Sequence, residues 1–198
     1  MSMNNRLKIM VGSTIYKFEN ELSAIVATLE TLGYDVISSY AGTVKVNPHL
    51  SNLDNCINAV GECDLFLGII RPFYGTGNIG DKNITFEEMK EAVRLNKPYW
   101  FMAHRDVTFC RQLQRKLETK IDFNFKNKDD NKYFFDARTL EIYDFAIKSY
   151  EEDVVNRRGN WVQEFYRLDE ILKYIVTQFE NVDRIKQIIK EGGNYVVE

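Results

Sequence analysis

The chain has 198 residues, 44% of them hydrophobic and 13% aromatic, so it can bury a substantial core without covalent crosslinks and is not wholly disordered. Its 26 basic and 29 acidic side chains give a net charge of -3, which excludes a global positive field for binding nucleic acid. Three widely spaced cysteines and two distant histidines form no disulfide framework and no metal-ligand pattern, so we expect reduced thiols and no metal site.

The first half of the chain alternates between strands and helices. Apolar runs predict strands at 7–11, 34–38, 64–70 and 99–103. Apolar residues at helical spacing predict three helices between them. The first carries Leu22 to Leu29 and ends at Gly33, the second is capped by Ser51 and ends at Gly61, and the third is capped by Thr85 and ends before Pro98.

The second half is less regular, and residues 106–159 have the character of an insertion. The sequence predicts a helix at 107–117, a polar loop at 124–132, a short edge strand at 133–136, a helix at 139–149 and a solvated link at 151–159. A fifth core strand at 161–166 and two helices complete the chain, and Trp100 and Trp161 are expected in the core. We interpret residues 1–198 as one domain, with a core at 7–105 and a final strand and helices at 160–191.

The third strand is apolar throughout, which indicates a sheet that is covered on both faces. Together with the strand–helix alternation, it predicts a three-layer α/β fold: a doubly wound, parallel, five-stranded sheet of order 2-1-3-4-5 with extra C-terminal helices. In that order the loops after the first and third strands flank one crevice, where ligands bind in such folds. We therefore expect the functional residues at the carboxyl ends of these two strands.

The first of these loops contains Gly12, Ser13 and Thr14. Its backbone N–H groups and the Ser13 hydroxyl are suited to bind a phosphate or a ribose, although Ser and Thr at a helix start also act as caps alone. Asp64, at the start of the third strand, either binds substrate or caps the preceding turn. The sequence leaves these alternatives open.

The loop after the third strand begins at Arg71 and continues through Tyr74 and Gly75. Arg71 either binds a phosphate with both guanidinium arms or pairs with a nearby carboxylate. Tyr74 either stacks on a base or packs beneath the loop, and Gly75, Gly77 and Gly80 predict a flexible or tightly turned lid.

Glu88 is the strongest candidate for a catalytic carboxylate, because its helix follows the third-strand loop. The spacing Thr85-x-x-Glu88 also matches a capping box, in which the glutamate only bonds the backbone at the helix start. In the functional interpretation, the helix N-terminus favours an ionised carboxylate that accepts bonds from ribose hydroxyls or attacks an anomeric carbon.

Four segments together carry a family resemblance: 9–14 (IMVGST), 63–70 (CDLFLGII), Tyr74-Gly75, and the helix from Thr85-x-x-Glu88 to Ala92 that ends in Asn96-Lys97-Pro98. The chain resembles the domain of unknown function 4062 (DUF4062), which belongs to a wider group similar to TIR domains and nucleoside 2-deoxyribosyltransferases. The resemblance extends from 7 to 103 and again from 160 to 179. It implies a flavodoxin-like, TIR-like fold.

The resemblance also implies a role for Glu88, since both enzyme groups use a glutamate at this position of the motif on the sugar of an N-glycoside. Ile84 and Lys90 stand where the transferase motif has glycines, and Arg71 stands where that branch tends to have an acid. These differences argue against deoxyribosyl transfer and leave hydrolysis of NAD or a related nucleotide. The site would contain Glu88 as the catalytic group and the following substrate-binding residues: Gly12, Ser13, Thr14, Asp64, Arg71, Tyr74, Gly75 and Thr85.

We therefore expect a nucleotide-binding, TIR-like enzyme that hydrolyses or transfers at an N-glycosidic bond, in antiviral or stress signalling. NAD or a nucleotide is the expected substrate, and no cofactor is required. The alternative is a non-catalytic nucleotide sensor or assembly module that binds itself or a partner signalling protein. The amino terminus has no signal-peptide pattern and no run approaches the roughly 20 apolar residues of a membrane span, so we expect a cytoplasmic protein without membrane or nucleic-acid partners.

Overall fold

The computed structural model describes residues 6–75, 78–79, 82–117, 125–126, 133–148 and 161–192. The strands in chain order are β1 (Lys8–Ser13), β2 (Asp35–Ile37), β3 (Leu65–Ile70), β4 (Asn78–Ile79), β5 (Lys82–Asn83), β6 (Tyr99–His104), β7 (Phe125–Lys126), β8 (Tyr133–Phe135) and β9 (Val162–Phe165). The helices are α1 (Glu19–Thr31), α2 (Asn52–Glu62), α3 (Ile84–Arg94), α4 (Arg105–Lys116), α5 (Thr139–Ala146), α6 (Leu168–Phe179) and α7 (Val182–Gly192).

A parallel five-stranded sheet of order β2-β1-β3-β6-β9 forms the centre of the protein. This is the predicted order 2-1-3-4-5, and helices cover both faces, so the predicted fold class is confirmed. One apolar cluster joins the sheet to α1, α6 and α7, and a second joins it to α2, α3, α4 and α5. Every residue of β3 is buried, because this strand lies between the two layers.

Two predictions for the second half of the chain need correction. The segment predicted as an edge strand is β8, which pairs antiparallel with β7 in a separate two-stranded sheet. Trp161 is not a core residue: 75% of it is exposed, because it precedes β9, the last strand of the sheet, and no strand among the described residues pairs with the outer side of β9. The predicted link at 151–159 and most of the predicted loop at 124–132 lie outside the described residues.

Side chains define the start of the two helices that face the predicted crevice. Ser51 caps α2 as predicted, because its Oγ accepts a hydrogen bond from the Asp54 N–H at 3.1 Å. The cap predicted at Thr85 is wrong. Asn83 caps α3 instead: its Oδ1 accepts from the Phe86 N–H at 2.9 Å, and its Nδ2 donates to the Tyr74 carbonyl, so α3 begins at Ile84.

Within the described parts of the chain, none of the helices combines the length and the apolar character needed to cross a bilayer.

Two glycines let α3 pack closely on the sheet. Gly12 of β1 and Gly68 of β3 are direct partners in the parallel ladder, and both face α3. A Cβ at Gly68 would lie 2.6 Å from Met89 Cε and 2.8 Å from Phe101 Cδ1, closer than carbon atoms pack. We call Gly12 and Gly68 the glycine pair.

Replacing Gly68→Ala should lower the free energy of unfolding by about 1–3 kcal/mol, because the added methyl group must displace Met89 or Phe101 in a close-packed layer. Urea unfolding measures this change. The control is Gly61→Ala in α2, where an added Cβ meets nothing within 4 Å, and where the helix should gain up to about 1 kcal/mol. Equal stability of Gly68→Ala and the wild type would contradict the close packing of α3.

Candidate active site

A cavity of about 440 Å³ lies at the carboxyl ends of β1, β2 and β3, the end of the sheet at which the strand order predicts a ligand-binding crevice. Its walls are the loops that follow these three strands and the first turns of α2 and α3. Polar wall residues include Ser13, Thr14, Asn55, Thr85 and Glu88. Apolar wall residues include Ile15, Val44 and Val46. The volume lies within the range of about 300–1,000 Å³ that is typical of small-molecule sites.

Glu88 lies in the wall of this cavity and is only 4% exposed. Its neighbours on α3, Met89 and Ala92, pack into the apolar layer beneath the helix. A Cβ at Gly12 would lie 2.9 Å from Glu88 Oε2, so the carboxyl group rests close to the bare backbone at the end of β1. The helix therefore delivers a buried carboxyl group to the cavity wall, and the glycine pair makes room for it.

The capping-box interpretation of Glu88 is wrong. With Asn83 as the N-cap, the third helical residue is Phe86, and a capping-box side chain must come from that position. Glu88 lies two residues further along the helix, outside the position that the motif requires. Its side chain is therefore not used to begin its own helix.

Burial raises the pKa of Glu88 to about 7, and the hydrogen bond from the Cys56 thiol opposes part of that increase. Burial likewise raises the pKa of the Cys56 thiol to about 12, and the Glu88 charge adds to the effect. The thiol consequently remains protonated at neutral pH. Near neutral pH the Glu88 carboxyl is present in both its protonated and ionised forms.

The structure brings several other predicted site residues to the same cavity. Ser13, Thr14, Gly75 and Thr85 all line it, and Gly12 lies directly behind the Glu88 carboxyl. Gly75 has a φ of +84°, and a Cβ there would lie 3.2 Å from Thr14 Cγ2, so glycine is needed where the two loops meet. Gly77 and Gly80, predicted as part of a lid, lie outside the residues whose side chains and backbone are described.

Arg71 does not line the cavity; it fastens the loop after β1 from behind. The guanidinium donates to the backbone carbonyls of Thr14 at 3.2 Å, Tyr16 at 2.6 Å and Lys17 at 3.0 Å. It also lies 4.2 Å from the centre of the Phe18 ring, and burial lowers its pKa to about 10. The predicted phosphate contact is replaced by three carbonyl contacts that shape the cavity wall.

Asp64 and Tyr74 also lie outside the cavity wall. Asp64 precedes β3 at the amino-terminal end of the strands, opposite the cavity. There its Oδ2 accepts a hydrogen bond from the Lys8 N–H at 2.8 Å and joins the starts of β1 and β3. Tyr74 is buried beneath the loop, with the Arg138 guanidinium 4.0 Å from its ring centre. Of its two predicted roles, the geometry matches packing beneath the loop.

Helix α2 and the segment before it also contribute to the cavity, which the sequence did not predict. Asn55 holds that segment over the cavity: its Oδ1 accepts from the Asn47 N–H at 2.8 Å, and its Nδ2 donates to the Asn47 and Ser51 carbonyls at 3.1 and 3.0 Å. Cys56 follows it and lines the same cavity as Glu88. The feature of the sequence that could have indicated this contribution is the pair Asn55-Cys56, in the first turns of the helix that follows β2.

The stability of the wild type should fall relative to Glu88→Gln as the pH rises. The folded protein holds the Glu88 proton more tightly than the unfolded chain, so this group contributes stability that is fully present below pH 4.5 and is lost as the pH rises through about 7. We expect a relative loss of about 3 kcal/mol, measured by urea unfolding across this range.

Glu91→Gln is the control for this experiment, since Glu91 is on the same helix and its pKa is lowered by its hydrogen bond with Arg94. Between pH 5 and 7 Glu91 is ionised in both states, so the variant should parallel the wild type. The same pH slope for wild type and Glu88→Gln would refute the burial of an uncharged Glu88.

Arg71→Met should lower the free energy of unfolding by about 2–3 kcal/mol, because three loop carbonyls lose their donor while the packing of the side-chain stem is kept. Arg94→Met is the matched control: Arg94 is 68% exposed and pairs with Glu91, so its loss should change stability by less than about 1 kcal/mol. Similar unfolding midpoints for the two variants would show that Arg71 does not secure the loop.

Comparisons with known proteins identify the family of this chain. A solved structure, the CMP N-glycosidase BcmB of Clostridium botulinum, is similar with 12% sequence identity and a TM-score of 0.46, over 86% of this chain and 98% of that chain. No curated protein matches the sequence significantly. The model of the family "Domain of unknown function (DUF4062)" matches residues 8–192, which include every described strand and helix. The chain belongs to the DUF4062 family.

Proposed function

We propose that this protein cleaves the N-glycosidic bond of a nucleoside or nucleotide, with NAD as one candidate substrate, and that Glu88 is the catalytic carboxylate. The observation that carries the proposal is a buried carboxyl group with a pKa near 7 in the wall of a cavity. Perturbed carboxyl groups in clefts are characteristic of active sites. The resemblance of the Thr85-x-x-Glu88 helix to the TIR-like and deoxyribosyltransferase motif supports the same assignment.

The wall chemistry suits the two halves of such a substrate. Ser13, Thr14 and Thr85 offer hydroxyl groups in the wall of the cavity that also contains Glu88, and these groups can hydrogen-bond a ribose. Ile15, Val44 and Val46 offer apolar surface against which a base can pack. We propose that the sugar lies over β1 and α3 and that the base extends toward the segment after β2.

In the proposed reaction the bond between the anomeric carbon and the base nitrogen breaks, and its electron pair leaves with the base. The ionised Glu88 carboxylate stabilises the positive charge that develops on the sugar, or bonds to the anomeric carbon. Water then supplies the oxygen of the new C–O bond. One of its protons goes to the departing base of a neutral nucleoside, or to solvent in the case of NAD, whose cationic nicotinamide leaves as a neutral base. The products are a free base and a ribose or ribose phosphate derivative.

The test is to incubate purified protein with NAD, CMP and unphosphorylated nucleosides and to follow release of the free base by chromatography. Glu88→Gln should reduce turnover by about 100-fold or more, since it removes the ionisable group but keeps the shape of the side chain. Glu87→Gln is the matched control: Glu87 pairs with Lys90 at 2.6 Å on the same helix, and its loss should leave turnover within about twofold.

Turnover by Glu88→Gln at the wild-type rate would remove this residue from the mechanism. Thermal stabilisation by one of these compounds, with the intact compound recovered afterwards, would instead favour the alternative of a nucleotide-binding module without catalysis.

A further inference from the structure

The sequence at the start of α3 offers two residues that can cap the helix. Asn83 caps it in the structure, but Thr85 is also a good cap, and Glu88 follows Thr85 at the spacing of a capping box. Such a box supplies two hydrogen bonds to a helix start. The residues of α3 by themselves therefore do not decide between a start at Ile84 and a start two residues later.

The two starts leave the Glu88 carboxyl group in different places. With Asn83 as the cap, Glu88 lies two residues beyond the third helical position and in the wall of the cavity. With Thr85 as the cap, Glu88 would be the third helical residue. A capping box turns that side chain back, where it accepts a hydrogen bond from the N–H of the cap residue. The carboxyl group would then begin its own helix and leave the cavity wall.

The observed start depends on a contact outside the helix. Asn83 is 3% exposed, and both ends of its side-chain amide are hydrogen-bonded. Oδ1 accepts from the Phe86 N–H at 2.9 Å, and Nδ2 donates to the Tyr74 carbonyl. A Cβ at Gly75 would lie 3.6 Å from the same Nδ2, so this end of the amide faces the loop after β3. The loop thereby fixes the acceptor end of the amide toward the helix.

Tyr74 is in turn held by the segment between β8 and α5. The Arg138 guanidinium lies 4.0 Å from the centre of the Tyr74 ring, within the range of a cation–π contact. The same guanidinium donates to both carboxylate oxygens of Asp136, at 2.9 and 2.6 Å. The Asp136 N–H donates to the Pro72 carbonyl at 2.9 Å. The place of the Tyr74 carbonyl is therefore set by residues that do not belong to α3.

We propose that Asn83 is a positioning residue for Glu88: its bond to the Tyr74 carbonyl selects the start of α3 at Ile84 over a start capped by Thr85, and so keeps the carboxyl group in the cavity wall. This inference rests on the proposed function for its purpose, while the choice between two helix starts is testable without any activity. The loop after β3 thereby controls whether Glu88 is available to a substrate.

The titration of Glu88 distinguishes the two starts directly. In the described part of the cavity wall the other ionisable side chains are Cys56 and Tyr16, and both are retained in the variants below. The residues of β1 and β3 beside the carboxyl group, Gly12 and Phe66, carry no ionisable side chain. A large change in the pKa of Glu88 therefore reports a change in its own surroundings.

The experiment follows the Glu88 side-chain carboxyl carbon by ¹³C NMR during a pH titration, with Glu88→Gln used to assign the signal. In the wild type, burial holds the pKa at about 7. In Asn83→Ala the Thr85 start should form, and the Glu88 pKa should fall below its ordinary value of 4.5, because a backbone N–H and the helix N-terminus both favour the ionised form. Asn83→Leu, which has a similar volume and no cap acceptor, replaces the alanine variant if that variant does not fold.

Two further variants separate a new helix start from a simple exposure of Glu88 to water. In the double variant Asn83→Ala, Thr85→Ala neither cap is present, so the pKa should be at least about 1 pH unit higher than in Asn83→Ala alone. Asn83→Ser restores a cap acceptor at the original position and should return the pKa to within about 0.5 pH unit of the wild type. A residue that only fills space would not show this rescue.

Ser51→Ala is the matched control, because Ser51 caps the neighbouring helix α2 through the Asp54 N–H at 3.1 Å and does not line the cavity. The control should leave the Glu88 titration unchanged. A Glu88 pKa that stays near 7 in Asn83→Ala or Asn83→Leu would overturn the inference. A fall of the same size in the double variant, or in Ser51→Ala, would overturn it as well.

The activity assay separates this inference from the proposed function. If the protein is active, Asn83→Ala should lower turnover by about tenfold or more, and Asn83→Ser should restore most of it, since the carboxylate is withdrawn from the substrate only in the first variant. Wild-type turnover in Glu88→Gln would defeat the proposed function yet leave the NMR titration to decide the choice of helix start. An NMR titration unaffected by Asn83 would defeat this inference and leave Glu88 as the catalytic candidate.

Discussion

The close approach of α3 to the sheet is the constraint on which the rest of the site depends. It is possible because the glycine pair, Gly12 and Gly68, occupies adjacent positions of β1 and β3 under the helix. Any side chain at these positions would push the helix outward, and Glu88 would then lose its place against the backbone of β1. The absence of side chains at these two positions therefore determines where the Glu88 carboxyl group enters the cavity, although both glycines are distant from Glu88 in the sequence.

The fold could be predicted because it is encoded by features that do not depend on distant contacts. Apolar runs and helical spacing identify the five parallel strands and their helices, and the rules for connecting such strands restrict their order. The start of α3 could not be fixed in this way. Asn83 and Thr85 are both acceptable caps, and the choice depends on the Asn83 contact with the Tyr74 carbonyl, which exists only once the two loops meet.

The candidate site was predictable in location but not in composition. The strand order identifies the end of the sheet at which a ligand would bind, and residues that follow β1 and begin α3 line the cavity there. The sequence leaves a phosphate or a nearby carboxylate as the partner of Arg71, because a guanidinium suits both anions. The same group also suits three backbone carbonyls, and the direction of these carbonyls is unknown before folding. Cys56 was missed because a cysteine at helical spacing is usually a small core residue.

Burial of Glu88 has opposite consequences for stability and for the proposed chemistry. Among the described residues Glu88 has no cationic partner, and an ionised carboxylate buried in this way is costly, which is why burial raises the pKa of Glu88 to about 7. A sugar develops positive charge as its glycosidic bond breaks, and that charge would supply the missing partner. If the bound substrate is neutral at the anomeric carbon, the partner exists only in the transition state. The carboxylate would then bind the transition state more tightly than the substrate, which is the condition for catalysis. A lysine or arginine beside Glu88 would stabilise the ionised carboxylate already in the free protein and would remove that advantage.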